Sequence, residues 1–548
     1  MARGHRLQMR VLLLALVAGA VVASAGFAAS DGGAGAGGRA REASGSRPVR
    51  FETTRSGAGA GPALVYATFA LSASSEEQRM AIGKDGSTYV AVGAPHAPPL
   101  CGAPRTEGTF DTCAGQPSGG INGRFDDVLV AKYDPSGSKL VWATWLGGSS
   151  NEYPVGIGVD PAGNVYVVGF TRSKNFPTTA GALDRRKDGP TDAFITKFDP
   201  TGSTLLYSTF LGGTNDDVIH GLAVDHAGNL YIAGFTASTD FPTTPGALAR
   251  RRLDKHYADA FVAKLDPSGS RFLYSTLLGG NAYDDVAALE IDRAGNAYLT
   301  GETESTNFPT TRGAPQRRCA TCSPRKVGYT PDGFLAKLDP SGSRLRYATF
   351  LGGALRDEPQ DLAVDRAGNA YVAGFTHSLD FPTTRGSFDT SRNDEISWSD
   401  GFVAKLNPAG TRFAYATYLG SRCGCQELAT AIAVDRAGNA WVAGWTGSQT
   451  FPTTKGAFRR RWPPSQQVGS TGAFLTKLNR SGSSLAYSTF LGNAAPFDVG
   501  LDPRGNIYVA GSFAKNDFPT TPGAYRTAGK ERSLISDGGF LMKFSAGR

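Results

Sequence analysis

The chain has 548 residues, of which 40% are hydrophobic and 19% charged, and its formal net charge is +8. Residues 1–62 hold eight Arg against Asp31, Glu42 and Glu52, so +5 of that charge belongs to the N-terminal segment. The rest of the chain is weakly basic and has no Lys/Arg cluster interleaved with aromatic residues, which argues against nucleic-acid binding.

The N-terminal segment predicts export. Three Arg residues precede an apolar run from Val11 to Val22 and the small residues Ala23-Ser24-Ala25, a pattern typical of a secretory signal peptide over residues 1–29. The run is short for a membrane span, so we expect none after cleavage. Residues 30–62 are mostly Gly, Ala, Ser and Arg and are expected to form a flexible linker. We expect the protein to be secreted and to be located outside the cell, at the cell surface or in the periplasm.

One phrase of roughly seventy residues then recurs seven times along residues 63–548. A complete copy contains four short segments rich in β-branched, Ala and aromatic residues: Gly221–Asp225, Leu230–Gly234, Ala260–Leu265 and Leu273–Leu278. None is long enough for a helix, so each copy predicts four β-strands.

Two tight turns join these strands. Asp225-x-x-Gly228 and Asp266-Pro-Ser-Gly269 both match a type I turn, with Asp first and Gly fourth. We expect the turn Asp to cap the turn, because calcium ligation would need several more oxygen ligands in register. It recurs as Asp160, Asp225, Asp292, Asp365, Asp435 and Asp502.

A four-stranded meander of this length has no core of its own, so successive sheets must pack face to face. The chain is therefore predicted to be all-β, a seven-bladed β-propeller of four-stranded antiparallel blades forming one domain over residues 63–548. Leu64–Phe69 resembles the fourth strand of a copy but precedes every other strand. We expect this N-terminal strand to complete the last blade and close the ring.

The repeat resembles the SBBP family, the seven-bladed β-propeller repeats of bacterial secreted and cell-surface proteins. The resemblance covers residues 64–548 and depends on Tyr207–Gly213 (Tyr-Ser-Thr-Phe-Leu-Gly-Gly), on Phe-Pro-Thr-Thr in six copies, and on Asp-x-x-Gly-Asn followed by Tyr-Val-Ala-Gly. It implies a propeller and an exported protein, but it supplies no catalytic residues. The first copy departs from the pattern, because it lacks Phe-Pro-Thr-Thr and carries an insertion from Ala94 to Asp127.

Six cysteines lie in predicted loops as three close pairs: Cys101/Cys113, Cys319/Cys322 and Cys423/Cys425. In an exported protein we expect disulfides, and Cys101–Cys113 is the predicted one. The other four cysteines sit in very short rings that strain a local bridge. A crosslink between their two loops and a four-thiolate zinc site remain open, although no metal or cofactor is expected overall.

An acidic residue precedes the turn Asp by eight positions in five copies: Glu152, Asp217, Asp284, Asp357 and Glu427. We place it in the link between blades, on the side that also bears the variable loops after Phe-Pro-Thr-Thr. These carboxylates are the candidates for a ligand-binding face, with hydrogen bonding to backbone N–H groups as the structural alternative. His220 beside Asp216 and Asp217 is a weak acid–base candidate, and no catalytic residue is assigned.

The first functional hypothesis is a monomeric, exported, non-catalytic scaffold that binds a cell-envelope protein or polysaccharide through this face. The second is a polysaccharide-active lyase or hydrolase with a single site there. A His within hydrogen-bond reach of a carboxylate at the axial mouth would favour the second hypothesis.

Overall fold

A computed structural model describes residues 62–69, 78–96, 110, 125–322, 330–392, 398–461, 472–514, 519–525 and 537–547. Every regular element within these ranges is a β-strand. The strands form seven antiparallel sheets of four, each a meander in chain order apart from the last. The predicted seven-bladed propeller is confirmed.

The first strand of each blade is the innermost one. These strands contact one another all round the ring, including the last with the first, which places them at the axis. They are β2 (Gln78–Ile82), β6 (Glu152–Val159), β10 (Asp217–Val224), β14 (Asp284–Ile291), β18 (Asp357–Val364), β22 (Glu427–Val434) and β26 (Ala494–Leu501).

The remaining strands follow from the axis to the rim. The second strands are β3 (Thr88–His96), β7 (Val165–Thr171), β11 (Leu230–Thr236), β15 (Ala297–Thr303), β19 (Ala370–Thr376), β23 (Ala440–Thr446) and β27 (Ile507–Ala514). The third strands are β4 (Phe125–Tyr133), β8 (Asp192–Phe198), β12 (Asp259–Leu265), β16 (Asp332–Leu338), β20 (Asp400–Leu406), β24 (Gly472–Leu478) and β28 (Asp537–Phe544). The outermost strands are β5 (Leu140–Leu146), β9 (Leu205–Leu211), β13 (Phe272–Leu278), β17 (Leu345–Leu351), β21 (Phe413–Leu419), β25 (Leu485–Gly492) and β1 (Leu64–Phe69).

The ring closes as predicted. β1 pairs antiparallel with β28, with Ala67 opposite Met542 and Thr68 opposite Leu541. The seventh blade is thus built from both ends of the propeller sequence. This arrangement leaves no blade incomplete, because the earliest strand covers the outer edge of the latest one.

The core is divided among the seven blade junctions, each with its own cluster of buried apolar side chains. The second strands serve two junctions at once. In β11, Tyr231 and Ala233 pack toward the fourth blade, whereas Leu230 and Ile232 pack toward the second. Both faces of the strand are covered, which explains why its sequence does not alternate between apolar and polar residues.

One end of the ring, here called the turn face, holds the two hairpin turns of each blade. At the first turn, Asp225 Oδ1 accepts hydrogen bonds from the backbone N–H groups of Ala227 and Asn229, at 3.0 and 2.9 Å. Asp225 Oδ2 accepts a third from Asn229 Nδ2 at 2.7 Å. The capping role predicted for the turn Asp is confirmed, and it explains the Asp-x-x-Gly-Asn pattern.

The second turn explains another repeated pair. Gly269 has a φ of 68°, and a Cβ atom there would lie 2.4 Å from the ring of Tyr207 in the preceding blade. Only glycine satisfies both the left-handed conformation and this close approach. The Gly of Asp-Pro-Ser-Gly and the Tyr of Tyr-Ser-Thr-Phe are therefore required together.

The Phe-Pro-Thr-Thr segments protect the outer edges of the blades. The N–H group of Thr244 donates to Ser275 O and that of Leu277 to Ala249 O, both at 3.0 Å. The Ser275 hydroxyl donates to Pro242 O at 2.6 Å. The Phe-Pro-Thr-Thr segment begins on the loop side as predicted, but it then runs along β13. There it hydrogen-bonds the outer edge of the strand, which would otherwise be free to pair with another chain.

Candidate ligand-binding face

The face opposite the turns, here called the loop face, holds the links between blades and the connections from second to third strands. The turn face is built from near-identical four-residue hairpins, whereas the loop-face connections differ in length and sequence from blade to blade. Variable connections on a uniform scaffold are where recognition is usually found.

The five candidate carboxylates lie elsewhere than predicted. Each is the first residue of an innermost strand and not part of the link, because pairing with the second strand extends four residues further than the apolar pattern suggested. All five are 0% exposed: Glu152, Asp217, Asp284, Asp357 and Glu427. An oxygen that water cannot reach cannot contact a ligand in this conformation.

Their hydrogen bonds explain the burial. Asp217 Oδ2 accepts from the backbone N–H group of Gly213 at 2.7 Å and from the Ser238 hydroxyl at 2.8 Å. Asp284 and Asp357 repeat these bonds with Gly280 and Ser305 and with Gly353 and Ser378. Each carboxylate therefore fixes the link that enters its blade, and we retain the five as supports of the loop face and not as its contact groups.

Burial also changes the protonation of these groups. It raises the pKa of Asp217, Asp284 and Asp357 to about 7, although hydroxyl and backbone donors oppose the shift. Burial, together with repulsion from Asp127, holds the pKa of Glu152 well above its usual range. These carboxyl groups take up protons more readily in the folded chain than in water.

The sequence analysis did not identify a second series of acidic residues. This series lies at or near the start of the third strand of the preceding blade and faces the first series: Asp127, Asp192, Asp259, Asp332 and Asp400, each at most 4% exposed. Burial raises the pKa of Asp192 to about 6 and of Asp259 to about 7. For four of the five, the signal in the sequence was an Asp that directly precedes Ala-Phe or Gly-Phe; Asp127 precedes Val-Leu.

Basic side chains from the variable connections fold back toward these acids. Lys187 Nζ donates to Gly189 O at 2.5 Å, and Arg392 Nε lies 3.6 Å from Asp400 Oδ1. Arg252 donates to the carbonyl oxygens of Ala237 and Tyr257. The acids thus help to anchor the inner ends of loops whose outer parts face solvent.

Among the described residues, seven large apolar side chains are exposed, and they fall into two groups. Four occupy the same place, the second residue of an outermost strand: Val65, Val141, Leu206 and Leu273. The other three belong to loop-face connections and have no repeat. They are Leu253 (72% exposed), Leu379 (49%) and Trp398 (49%).

His220 does not pair with its sequence neighbours Asp216 and Asp217. Its Nδ1 atom lies 3.1 Å from Asp285 Oδ1 and 3.2 Å from Val286 O, both in the fourth blade. The bulge in β10 between Ile219 and Gly221 turns the imidazole toward that blade. The His–carboxylate contact exists near the loop-face end of two innermost strands, but with an acid that the sequence did not single out.

Three further acidic residues lie on the innermost strands, close to the axis of the propeller. Glu290, Asp361 and Asp498 are half-buried on innermost strands, and burial raises the pKa of Glu290 to about 7, of Asp361 to about 8 and of Asp498 to about 6. Two of them have a structural role, since Asp361 Oδ2 accepts from Ile432 N at 2.7 Å and Asp498 Oδ2 from Met80 N at 3.0 Å.

The cysteines of the described loops pair locally. Cys319 is bonded to Cys322 and Cys423 to Cys425, with Cα atoms 5.5 and 5.3 Å apart. The expectation that such short rings disfavour a local bridge was wrong, because the turns bring the Cα atoms within ordinary disulfide range. The crosslink between loops and the four-thiolate zinc site would need the same sulfurs and do not form here. Cys101 and Cys113 lie outside the described residues, as do residues 1–61.

No helix in the described ranges is long and apolar enough to cross a membrane.

Comparisons with known proteins agree with the repeat and the fold. The family model "Beta-propeller repeat" (SBBP) matches residues 141–177, 206–242, 273–309 and 346–382. A regulatory protein, FlaEY of Caulobacter vibrioides, is 26% identical over 413 residues, which is 71% of this chain and 39% of FlaEY. The chain thus spans well under half the length of that relative.

Solved structures with a similar chain path include the WD40 repeats of RRP9, with a TM-score of 0.43 and 8% identity, covering 87% of this chain and 99% of that one. The WD40 propeller domain of Doa1 has a TM-score of 0.41 and 9% identity, covering 89% and 97%.

Proposed function

We propose that this chain, which carries SBBP β-propeller repeats, is an exported, non-catalytic binding and scaffold module. In this proposal it works as a monomer and recognises a cell-envelope protein or polysaccharide through its loop face. The predicted signal peptide and linker would deliver the propeller and tether it loosely. The two local disulfides fit an oxidising compartment.

The observation that carries the proposal is the placement of the three unrepeated, exposed apolar side chains. Leu253, Leu379 and Trp398 all lie on loop-face connections. Exposed Trp and Leu cost solubility, and fully buried aromatic anchors dominate the energy of many interfaces. Leu379 and Trp398 belong to the same connection, between β19 and β20, which makes the fifth blade the centre of the proposed contact.

The test compares two double variants of the full chain for binding to isolated cell-envelope fractions. Leu379→Ser with Trp398→Ser removes loop-face anchors, and we expect binding to fall at least about tenfold, as for interface hot spots. Val141→Ser with Leu206→Ser is the matched control on the rim, where exposure is similar. Equal loss in both variants, or no loss in the first, would contradict the proposal.

Treatment of the envelope separates the two partner classes. Protease digestion removes a protein partner, and periodate oxidation removes a polysaccharide with vicinal diols. Binding that survives both treatments would contradict a protein partner and a polysaccharide with vicinal diols.

One observation keeps an enzyme as the second candidate. The contact of His220 Nδ1 with Asp285 Oδ1 is the arrangement that orients a general base. A polysaccharide lyase would give unsaturated products that absorb near the ultraviolet edge, and a hydrolase would release reducing ends. Release of either product by the wild-type chain, lost in His220→Asn, would favour this candidate over the non-catalytic module.

A further inference from the structure

The contact between His220 and Asp285 occurs once in a structure where nearly everything else recurs. His220 lies eight residues before a turn glycine, where the other blades have Gln78, Val155, Ala287, Gln360, Thr430 and Phe497. Asp285 lies ten residues before the next turn glycine, where other described blades have Tyr153, Val218, Glu358, Leu428 and Ala495. Among the blade junctions that the structure describes at both positions, a His lies opposite an acidic residue only at the junction between the third and fourth blades.

The fold does not require this polar pair. At the junction of the sixth and seventh blades the same places are taken by Thr430 and Ala495, and the Thr430 hydroxyl simply donates to Pro496 O at 2.6 Å. Asp285 is 0% exposed, and a buried carboxylate is costly even when it is paired. A unique and costly polar pair in a repeated scaffold indicates a role other than stability.

The contact fixes the tautomer of the imidazole. Both neighbours of His220 Nδ1 are acceptors, Asp285 Oδ1 and Val286 O, so Nδ1 carries the proton. In the neutral ring Nε2 is then an acceptor. The His220 side chain is 19% exposed, and its strand borders the axis, so part of the ring is accessible to a ligand.

An aromatic cluster that includes two tyrosines packs beside the His220 ring. The ring of Phe235 lies 5.7 Å from that of His220 and 6.0 Å from that of Tyr283. The Tyr283 hydroxyl donates to Asp285 Oδ2 at 3.2 Å. Tyr153, stacked on Phe170 at 4.8 Å, belongs to the same apolar cluster. Half-buried tyrosines offer an apolar face and a hydrogen-bonding edge together.

Charge decides between ligand classes. Asp285 faces Glu302 across the pair β14 and β15, and these side chains are 0% and 1% exposed. Two carboxylates on this pair of strands repel an anion, and a sugar hydroxyl can donate to the acceptor without adding negative charge.

We infer that His220, Tyr283 and Tyr153 form a binding site for a neutral saccharide unit at the axial mouth of the loop face. A sugar hydroxyl donates to His220 Nε2, and the apolar face of the sugar ring lies against Tyr283. Asp285 is a positioning residue that holds the imidazole. This inference rests on the proposed function, since it names the class of ligand for the loop face.

The test uses calorimetric titration of the full chain with three probes: cellohexaose and hexa-N-acetylchitohexaose, which are neutral, and hexagalacturonate, which is anionic. The key variant is His220→Asn, because the Asn amide can replace Nδ1–H as donor to Asp285 while removing the Nε2 acceptor. Gln360→Asn, at the same repeat position two blades away, is the matched control. Selective ¹⁵N labelling of the six histidines reports on Nε2 directly.

We expect at least one neutral probe to bind and hexagalacturonate to bind more weakly or not at all. His220→Asn should weaken the neutral probe about fivefold to tenfold, the value of one lost hydrogen bond, and Gln360→Asn should not. The His220 Nε2 resonance should shift on binding. Absence of binding by both neutral probes, equal binding by His220→Asn, or preference for the anionic probe would overturn the inference. If envelope binding still depends on Leu379 and Trp398 in that case, the proposed function stands without it.

Discussion

The phenol oxygen of Tyr371 lies 3.1 Å from the carbonyl oxygen of Gly438, across the junction between the fifth and sixth blades. Tyr166 and Gly228 repeat this bond at 3.1 Å between the second and third blades. The Tyr begins Tyr-Val-Ala-Gly and the Gly ends Asp-x-x-Gly, so two motifs of the repeat meet each other in neighbouring copies. The turn face is thereby held together by side chains as well as by packing.

Replacing Tyr371 by Phe removes that bond together with the contact of the same hydroxyl with Asp365 Oδ2 at 3.0 Å. We expect the free energy of unfolding to fall by about 1–2 kcal/mol, the usual net value of one or two hydrogen bonds. Tyr89→Phe is the control, since within the described residues the Tyr89 hydroxyl makes no such bond. Denaturant unfolding of both variants measures the difference, and equal effects would mean that packing alone joins the blades.

Thr244→Val tests the edge protection by Phe-Pro-Thr-Thr. The Thr244 hydroxyl accepts from Ser275 N at 2.9 Å and donates to Ser275 O at 3.3 Å. Its loss should cost about 1–2 kcal/mol and expose the edge of β13 to other chains. Thermal melting and light scattering measure both effects. Thr243→Val, one residue earlier and more weakly bonded, should aggregate less; the opposite order would refute the edge role.

The buried carboxyl groups predict how stability depends on pH. Because burial raises the pKa of Asp217, Asp284 and Asp357 to about 7, the folded chain binds protons that the unfolded chain releases above about pH 4. Stability should therefore decrease as the pH rises from about 4 to about 7. Melting temperatures measured across this range should be higher at the acidic end.

The turn Asp residues limit this trend at low pH. Hydrogen bonds from Asn229 and the charge of Lys264 outweigh desolvation and lower the pKa of Asp225, so its contribution is lost as the pH falls below about 4. Asp284→Asn should flatten the decrease between pH 4 and 7, whereas Asp225→Asn should leave it unchanged. An unchanged slope in Asp284→Asn would show that this carboxyl is not the source.

Ring closure makes the two ends of the propeller interdependent. Deleting residues 62–69 or residues 537–547 removes one partner of the same strand pair, so both truncations should lower the melting temperature, and the second should do so by more because β28 also pairs with β27. Deleting residues 30–61, which leaves only the last residue of the predicted linker 30–62, should have no such effect. If removal of residues 62–69 leaves the melting temperature unchanged, β1 is dispensable for the ring.

Peptide mapping of the mature, non-reduced protein tests the disulfides. We expect Cys319–Cys322 and Cys423–Cys425 each within a single peptide, together with the sequence-predicted Cys101–Cys113. Reduction should change the loops locally and leave the global melting temperature nearly unchanged, because the two local rings are very short. A peptide that joins Cys319 or Cys322 to Cys423 or Cys425 would contradict the local pairing.

The architecture was predictable from the sequence because the same pattern of strands and turns recurs in every repeat. Asp225-x-x-Gly228 and Asp266-Pro-Ser-Gly269 fix the hairpins, and the unpaired Leu64–Phe69 segment fixes the closure. The start of the innermost strand was not predictable, since Asp217 and His220 interrupt the apolar pattern and a bulge absorbs one residue. Pairing geometry, which periodicity does not encode, decides that boundary.

The site was predictable only in outline. The sequence indicated the loop face and offered its repeated acids as candidate contact groups, with hydrogen bonding to backbone N–H groups as the alternative, and such bonds are what the structure shows. Asp285 was overlooked because it follows Asp284 directly and the repeat drew attention to the latter. His220 and Asp285 are far apart in sequence, and only the packing of two innermost strands brings them within 3.1 Å.

The pairing of β1 with β28 also bears on how the protein is made. Ala67 N donates to Thr521 Oγ1 over a separation of 454 residues, so the first strand of the propeller to leave the ribosome cannot take its final place until the last blade has been synthesised. Contacts of such long range form slowly. A chain interrupted before β28 would therefore keep β1 without its sheet partner, and an unpaired strand edge is a known cause of aggregation in incomplete chains.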